Sequence, residues 1–322
     1  MHNRRLGRWG LKVSEISLGS WLTFGGQLDE KTSIELVHAA YDRGVNFFDN
    51  ADVNANGQAE VIVGKAISGL PREGVVLSSK VFWPTFPGPN GRGLSRKHIT
   101  ESVHASLRRL GTDYLDIYFC HGYDPDTPYD EVVYTMNTLI QQGKILYWGT
   151  SGWSAAQITA AYGVARQYNQ IPPAVEQTQY NMFVRHQMEL HIAPLRADRG
   201  LGVMAWGPLH SGILSGKYVD GIPPGSRASL AQMGWLRDQL TPERLEKVRQ
   251  LGRLANELGM TTAQLAIAWI LRRKEVCTVI TGATSIPQLE ENLEAGEMAG
   301  KLTEDVLEKI EQILGNLPED GG

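Results

Sequence analysis

Three side chains of complementary acid–base character stand at the ends of apolar runs. Asp49 follows Phe47 and Phe48, Lys80 closes a run that starts at Val75, and His121 follows Tyr118, Phe119 and Cys120. Each has an ordinary structural reading: a strand-end aspartate as a cap, a lysine snorkelling to solvent, a histidine hydrogen-bonded in the core. Brought to one pocket, however, a carboxylate, an ammonium and an imidazole hold and tune one another's protonation. Asn54 lies five residues beyond Asp49. Its amide can orient or hydrogen-bond a substrate, but it has no proton that titrates in a usable range and cannot be a general acid.

These residues need a scaffold that delivers many strand ends to one place. Apolar strand candidates fall near Glu15–Trp21, Asn46–Ala51, Val75–Phe82, Tyr114–His121, Tyr147–Trp153, Val175–Tyr180, Val203–Leu209 and Thr278–Ala283. Amphipathic helices alternate with them. Ile34, Val37, His38 and Tyr41 share helical spacing and run out at Arg43-Gly44, while Thr241-Pro242-Glu243 opens a helix whose apolar face is Leu245, Val248, Leu251 and Leu254. Eight strands alternating with helices predict an α/β fold, a single (β/α)8 barrel spanning 1–322. Gly7 and Gly10, between alternating residues, predict an N-terminal β-hairpin. The glycines after the first barrel strand, Gly19, Gly25 and Gly26, lack the G-x-G-x-x-G spacing of a doubly wound dinucleotide fold. Polar residues recur instead at successive strand ends, at Asp49, Lys80, His121, Ser151 and Gln177, the face where barrel enzymes assemble their sites. The tail at 318–322 reads as frayed.

Composition narrows the function classes. A formal charge of −4 carries no basic footprint, so no nucleic-acid partner is expected. No apolar stretch is long enough for a membrane span and no leader is evident, so a cytoplasmic setting is expected. Cys120 and Cys277 sit in apolar strands and read as buried free thiols. No His, Cys and carboxylate cluster has metal-ligand spacing, and no metal is expected.

The segment Phe48-Asp49-Asn50-Ala51-Asp52-Val53-Asn54 resembles the signature of the aldo-keto reductase family, in which an aspartate is followed five residues later by a catalytic tyrosine. Lys80 and His121 match the family's lysine and histidine in order and strand context. The resemblance runs from about Leu6 to about Pro318 and is closest to the branch containing voltage-gated potassium channel β subunits, through 149–154, 212–218 and 223–230. It implies NADPH held across the barrel mouth. Ser151 and Gln177 would hold the carboxamide, with the ring near Trp21 and Trp206 or Tyr180. Gly207, Pro208, Leu209, His210, Ser211 and Gly212, with Lys217, would wrap the pyrophosphate. Arg227, Gly282, Thr284 and Gln288 would meet the 2′-phosphate, and Glu291 and Asn292 the adenine. Trp21, Phe82 and Trp83 would shape the pocket for an apolar or aromatic small molecule, with Tyr123 and Trp235 on neighbouring loops. The same branch implies a homo-oligomer.

Two departures from that pattern steer the function. His121 stands where the channel subunits usually carry asparagine, which favours an enzyme. Asn54 stands where the proton-donating tyrosine belongs. Carbonyl reduction needs that proton, whereas an iminium arrives already protonated. The expectation is therefore an NADPH-dependent imine or iminium reductase with Asp49, Asn54, Lys80 and His121 at its centre. Two alternatives stand beside it. One is an aldehyde or ketone reductase using His121 or water as donor. The other is an NADPH-binding regulatory subunit, or a tyrosine-replaced form with little turnover.

Overall fold

The computed structural model describes residues 1–319. The fold begins with an antiparallel hairpin, β1 (Asn3–Arg5) against β2 (Lys12–Ser14), registered Arg4 on Val13. Eight parallel strands follow: β3 (Ile16–Gly19), β4 (Phe47–Asp49), β5 (Val76–Val81), β6 (Leu115–Cys120), β7 (Ile145–Ser151), β8 (Val175–Gln179), β9 (Gly202–Trp206) and β10 (Val276–Thr281). They close into a barrel, with β10 pairing back onto β3. All eight lie within three residues of the spans expected from the sequence, and the hairpin is where the glycines placed it. The last three residues of the tail expected to fray lie outside the described residues.

Helices cover the barrel as α1 (Glu30–Asp42), α2 (Gln58–Ile67), α3 (Arg96–Leu110), α4 (Tyr129–Gln141), α5 (Ala155–Gln167) and the short α6 (Pro194–Arg199). Between β9 and β10 come α7 (Gly234–Asp238), α8 (Pro242–Glu257) and α9 (Thr262–Leu271). After β10 come α10 (Ile286–Met298) and α11 (Glu304–Leu314). Thr241 caps α8 by accepting from Arg244 N, with Pro242 in its first turn, as its sequence requires. The apolar face of α1 is turned one residue from expectation. Ser33, Leu36, Val37 and Ala40 are buried, while His38 is exposed and its Nε2–H donates to Ala66 O at 2.7 Å. Ser33 and Ala40, both small, lie on the buried side, and neither stands out as strongly hydrophobic in the sequence.

The core has two parts. One lies between strands and helices. The other lies inside the barrel: Leu6 and Val13 of the hairpin close its amino-terminal end over Phe47 and Val175, and Phe119 and Met204 continue it upward to the level of Lys80 and Gln177. Gly7 makes the hairpin's close approach possible: its φ is +58°, and a Cβ there would lie 2.2 Å from Gly200 O. Cys277 takes part in this floor, accepting from Gly7 N at 3.3 Å, and Cys120 is also buried and unpaired. No described helix is long and apolar enough to cross a membrane.

Candidate active site

The carboxyl-terminal ends of β4, β5 and β8 bring a charge pair together. Lys80 Nζ donates to Asp49 Oδ2 at 2.6 Å and to Asn50 O at 2.7 Å. Asp49 Oδ1 accepts from Ser78 Oγ at 2.7 Å and from Gln177 Nε2 at 3.0 Å. Both charged groups are buried, and every oxygen of the carboxylate is spoken for, which is the condition under which a buried pair is tolerated. Strand alternation builds this arrangement. Ser78 and Lys80 project to the barrel's inner side, while Ser79 between them donates outward to Glu60 on α2 at 2.6 Å.

Asn54 sits at the start of a tight turn after β4. Its Nδ2 donates to Ser20 Oγ, 3.1 Å away at the end of β3, and the side chain is buried. The next three residues, Ala55, Asn56 and Gly57, have φ of +47°, +53° and +85°, a conformation costly for the first two. The layer beneath enforces it. Arg109 of α3 lies against Gly57, where a Cβ would come within 2.9 Å of it, and pairs with Glu60 at 2.6 Å. Asp52, two residues before Asn54, accepts from Ser102 Oγ of α3 at 2.6 Å.

His121 follows β6. Burial and the neighbouring Lys80 charge push its imidazole down to about 3, so the ring is neutral across the physiological range. Its Nδ1 is buried without a partner. A neutral ring there accepts or donates a hydrogen bond but does not serve as a cationic acid near pH 7.

On the other side of the mouth, Trp21 meets Trp206 edge to face at 6.5 Å between ring centroids, and the Arg227 guanidinium lies 6.0 Å from the Trp21 ring. Trp21 is 52% exposed. Tyr180, the alternative to Trp206 in the sequence reading, is fully buried. Its hydroxyl donates to Glu189 at 2.6 Å and its ring packs on Trp269, so Trp206 is the aromatic that faces the mouth. From Gly207 to Gly212 the chain again turns left-handed, with φ of +44° at His210 and +58° at Ser211. Lys217 packs against Gly212, and burial depresses both the Lys217 ammonium and the Arg227 guanidinium, with Arg227 adding to the effect at Lys217. Pro208 and Leu209 lie within this turn. The second loop, after β10, is knit internally. Gln288 Oε1 accepts from Thr284 N at 2.8 Å and from Thr284 Oγ1 at 3.0 Å, and Ser285 caps α10. Asn292 is buried and donates to Gly282 O at 3.4 Å, while Glu291 stays part-exposed beside it. Ser151 is buried at the end of β7.

The expected residues thus fall around one mouth, but sequence reasoning missed those that fix them. Ser20, Ser78 and Asn50 touch Asn54, Asp49 and Lys80 directly. Ser78 carried a usable signal, a polar residue two positions before Lys80 and therefore on its face. Glu176 was also missed. It is fully buried on β8, accepts from Thr150 Oγ1 at 2.5 Å and from Trp153 N at 3.2 Å, and so ties down the loop around Ser151. No group of three or more potential metal ligands occurs among the described residues.

A closed (β/α)8 barrel with a buried lysine–aspartate pair, a neutral histidine and an aromatic rim gathers its polar groups at the carboxyl-terminal mouth, the face where barrels of this class assemble their sites. The chain belongs to the aldo/keto reductase family, whose sequence model matches residues 15–315. Members of this family generally bind NAD(P)H. Among curated proteins, the chain is 49% identical to a probable voltage-gated potassium channel subunit beta of Arabidopsis thaliana, over 99% of this chain and 98% of that protein. It is 48% identical to a protein of the same description in Oryza sativa subsp. japonica, over the same shares.

Proposed function

We propose that this chain is an NADPH-dependent reductase of C=N bonds, acting on imines and iminium ions. The observation that carries the reading is the hydrogen bonding of Asn54, at the position where the family signature has its tyrosine. One N–H of the amide nitrogen goes to Ser20, which orients the side chain, and the amide oxygen has no partner among the described residues and stands open to a ligand. An acceptor at that point complements an iminium N–H. A developing alkoxide needs a donor there instead.

The two loops beyond β9 and β10 suit the cofactor. A Cβ on Gly207 or Gly282 would have no atom closer than 3.8 Å, so both backbones stand open to close approach, and Lys217 and Arg227 supply cations without a carboxylate partner among the described residues. Bound NADPH supplies the hydride. Ser211 and Gly212 with Lys217 would hold its pyrophosphate, Arg227 and Thr284 with Gln288 its 2′-phosphate, and Glu291 and Asn292 its adenine. Ser151 and Gln177 would orient the carboxamide, and Trp206 the ring. Gln177 is well placed for this because its amide nitrogen is pinned to Asp49, which fixes which end it presents. Lys80 and Asp49 neutralise each other and leave no net charge to repel a cationic substrate. His121, neutral, orients the substrate nitrogen rather than protonating it. Trp21 and Trp83, both about half exposed, favour an apolar or aromatic substrate. A homo-oligomer in the cytoplasm completes the proposal, in keeping with relatives described as channel subunits.

The test is NADPH oxidation with a panel of cyclic imines beside matched ketones. Turnover of imines well above ketones is expected. Turnover of ketones alone would overturn the reading, and tight NADPH binding with no turnover on either panel would favour a regulatory subunit. Asn54→Tyr should raise ketone reduction by about a hundred- to ten-thousand-fold, the usual worth of a general acid.

A further inference from the structure

The amino-terminal end of the barrel carries a groove of about 730 Å³, on the opposite side of the molecule from the mouth. Arg8 of the hairpin, Arg166 in the last turn of α5 and Arg199 in the last turn of α6 line it, with Tyr162 and Gln170. Arg199 lies 5.9 Å from the Tyr162 ring, and the Arg8 and Arg199 charges both act on the Tyr162 hydroxyl, so two of the guanidiniums lie near that residue, Arg8 resting at 4.8 Å over the Trp9 ring. Arg8 is held there by the chain itself. Its backbone N–H donates to Gly200 O at 2.8 Å, and a Cβ on Gly200 would strike its side chain at 2.7 Å.

No ion pair among the described residues includes any of the three. Arg199 Nε is in addition buried with no hydrogen-bond partner, an arrangement that costs free energy unless an acceptor arrives. Stabilisation of helix ends explains part of this, since last-turn arginines suit a helix carboxyl terminus. It does not explain Arg8, which is on no helix, or the orphaned nitrogen. The one acid in the lining, Asp198, is exposed and pairs with none of them.

We propose that this groove binds a small phosphate-bearing anion at a site separate from the mouth. Guanidinium forks match phosphate oxygens two at a time, and three of them around a groove this size suit a diphosphate. The ligand is either inorganic or the diphosphate end of a nucleotide.

The experiment titrates NADPH-saturated protein, whose mouth is filled, with inorganic pyrophosphate in a calorimeter. Saturable one-to-one binding is expected, weakening at least about tenfold in Arg8→Ala and again in Arg166→Ala, as the loss of a charge-assisted pair implies. Both residues are exposed, so folding, NADPH affinity and turnover should be unchanged. Absence of saturable binding to the wild type, or equal affinity in the Arg8→Ala/Arg166→Ala double variant, would overturn the site. A parallel titration with ADP separates the sources: tighter binding than pyrophosphate assigns a nucleotide, equal binding an inorganic anion.

Discussion

At the amino-terminal end of the barrel, Leu6, Val13, Phe47 and Val175 cluster with no exposed surface at all. At the carboxyl-terminal end, Trp21 and Trp83 remain 52% and 45% exposed, and the buried groups beneath them are a lysine, an aspartate and two amides. The floor is sealed by hydrophobic contact, which is non-directional and tolerates some shuffling of shape. The mouth is held by directional hydrogen bonds and by backbone in costly conformations at Ala55, Asn56, His210 and Ser211. The difference teaches which end can be altered without touching chemistry. Stability at the floor is a matter of volume, whereas at the mouth it is a matter of partners.

The sharpest way to break the mouth is to take one partner away. Lys80→Met leaves the Asp49 carboxylate buried with only Ser78 and Gln177 as donors. Losing one side of a buried pair costs about 3–5 kcal/mol, which urea unfolding would read, and turnover should vanish with it. The double change Asp49→Asn with Lys80→Met removes both charges and should recover most of the stability but none of the activity. Recovery of neither would mean that Lys80 is held by its contacts with Asn50 and Phe119 more than by the aspartate.

The floor answers to a different insult. Gly7→Ala places a methyl on a left-handed residue and drives it into Gly200 O. Strain and overpacking together should cost about 2–4 kcal/mol, yet turnover per folded molecule and NADPH affinity should stay at wild-type values. A fall in either would show that the two ends are coupled through β9 and β10, and the comparison would fail.

Legibility in the sequence follows the same division. The eight strands were readable because they appear as short apolar runs, rich in Val, Ile, Leu and Phe, between amphipathic helices. The chemistry-bearing mouth residues Asp49, Lys80 and His121 were readable as polar residues that interrupt those runs at strand ends. What holds them was not. Ser20 meets Asn54 across 34 positions and Gln177 meets Asp49 across 128, contacts set by barrel closure rather than by local pattern. Tyr180 reads the same as Trp206 in sequence, an aromatic ending a strand, and only packing against Trp269 separates them. The α1 face slipped for a related reason, because close packing selected small residues that hydrophobicity does not mark.

A test by pH asks whether the mouth is rigid without net charge behind it. Glu176 is fully buried beneath the Ser151 loop with no cation near it, and burial pushes its carboxyl from the ordinary 4.5 up to about 8. The folded chain therefore keeps this proton while the unfolded chain loses it. A raised carboxyl contributes stability that is whole below about 4.5 and declines as pH rises toward about 8, by at most about 1.4 kcal/mol per pH unit for one group. Glu176→Gln keeps an acceptor for Trp153 N and cannot ionise. Its stability should match the wild type near pH 5 and exceed it near pH 8, measured by urea unfolding across that range. Asp52, raised to about 7 by burial, leaves a residual slope in both proteins. Identical slopes would mean that Glu176 is charged in the folded state and that the loop carrying Ser151 is held by an ion rather than by an acid. The contrast between a mouth of matched partners and a floor of matched volumes would then need a third component, an uncompensated charge held by the barrel wall.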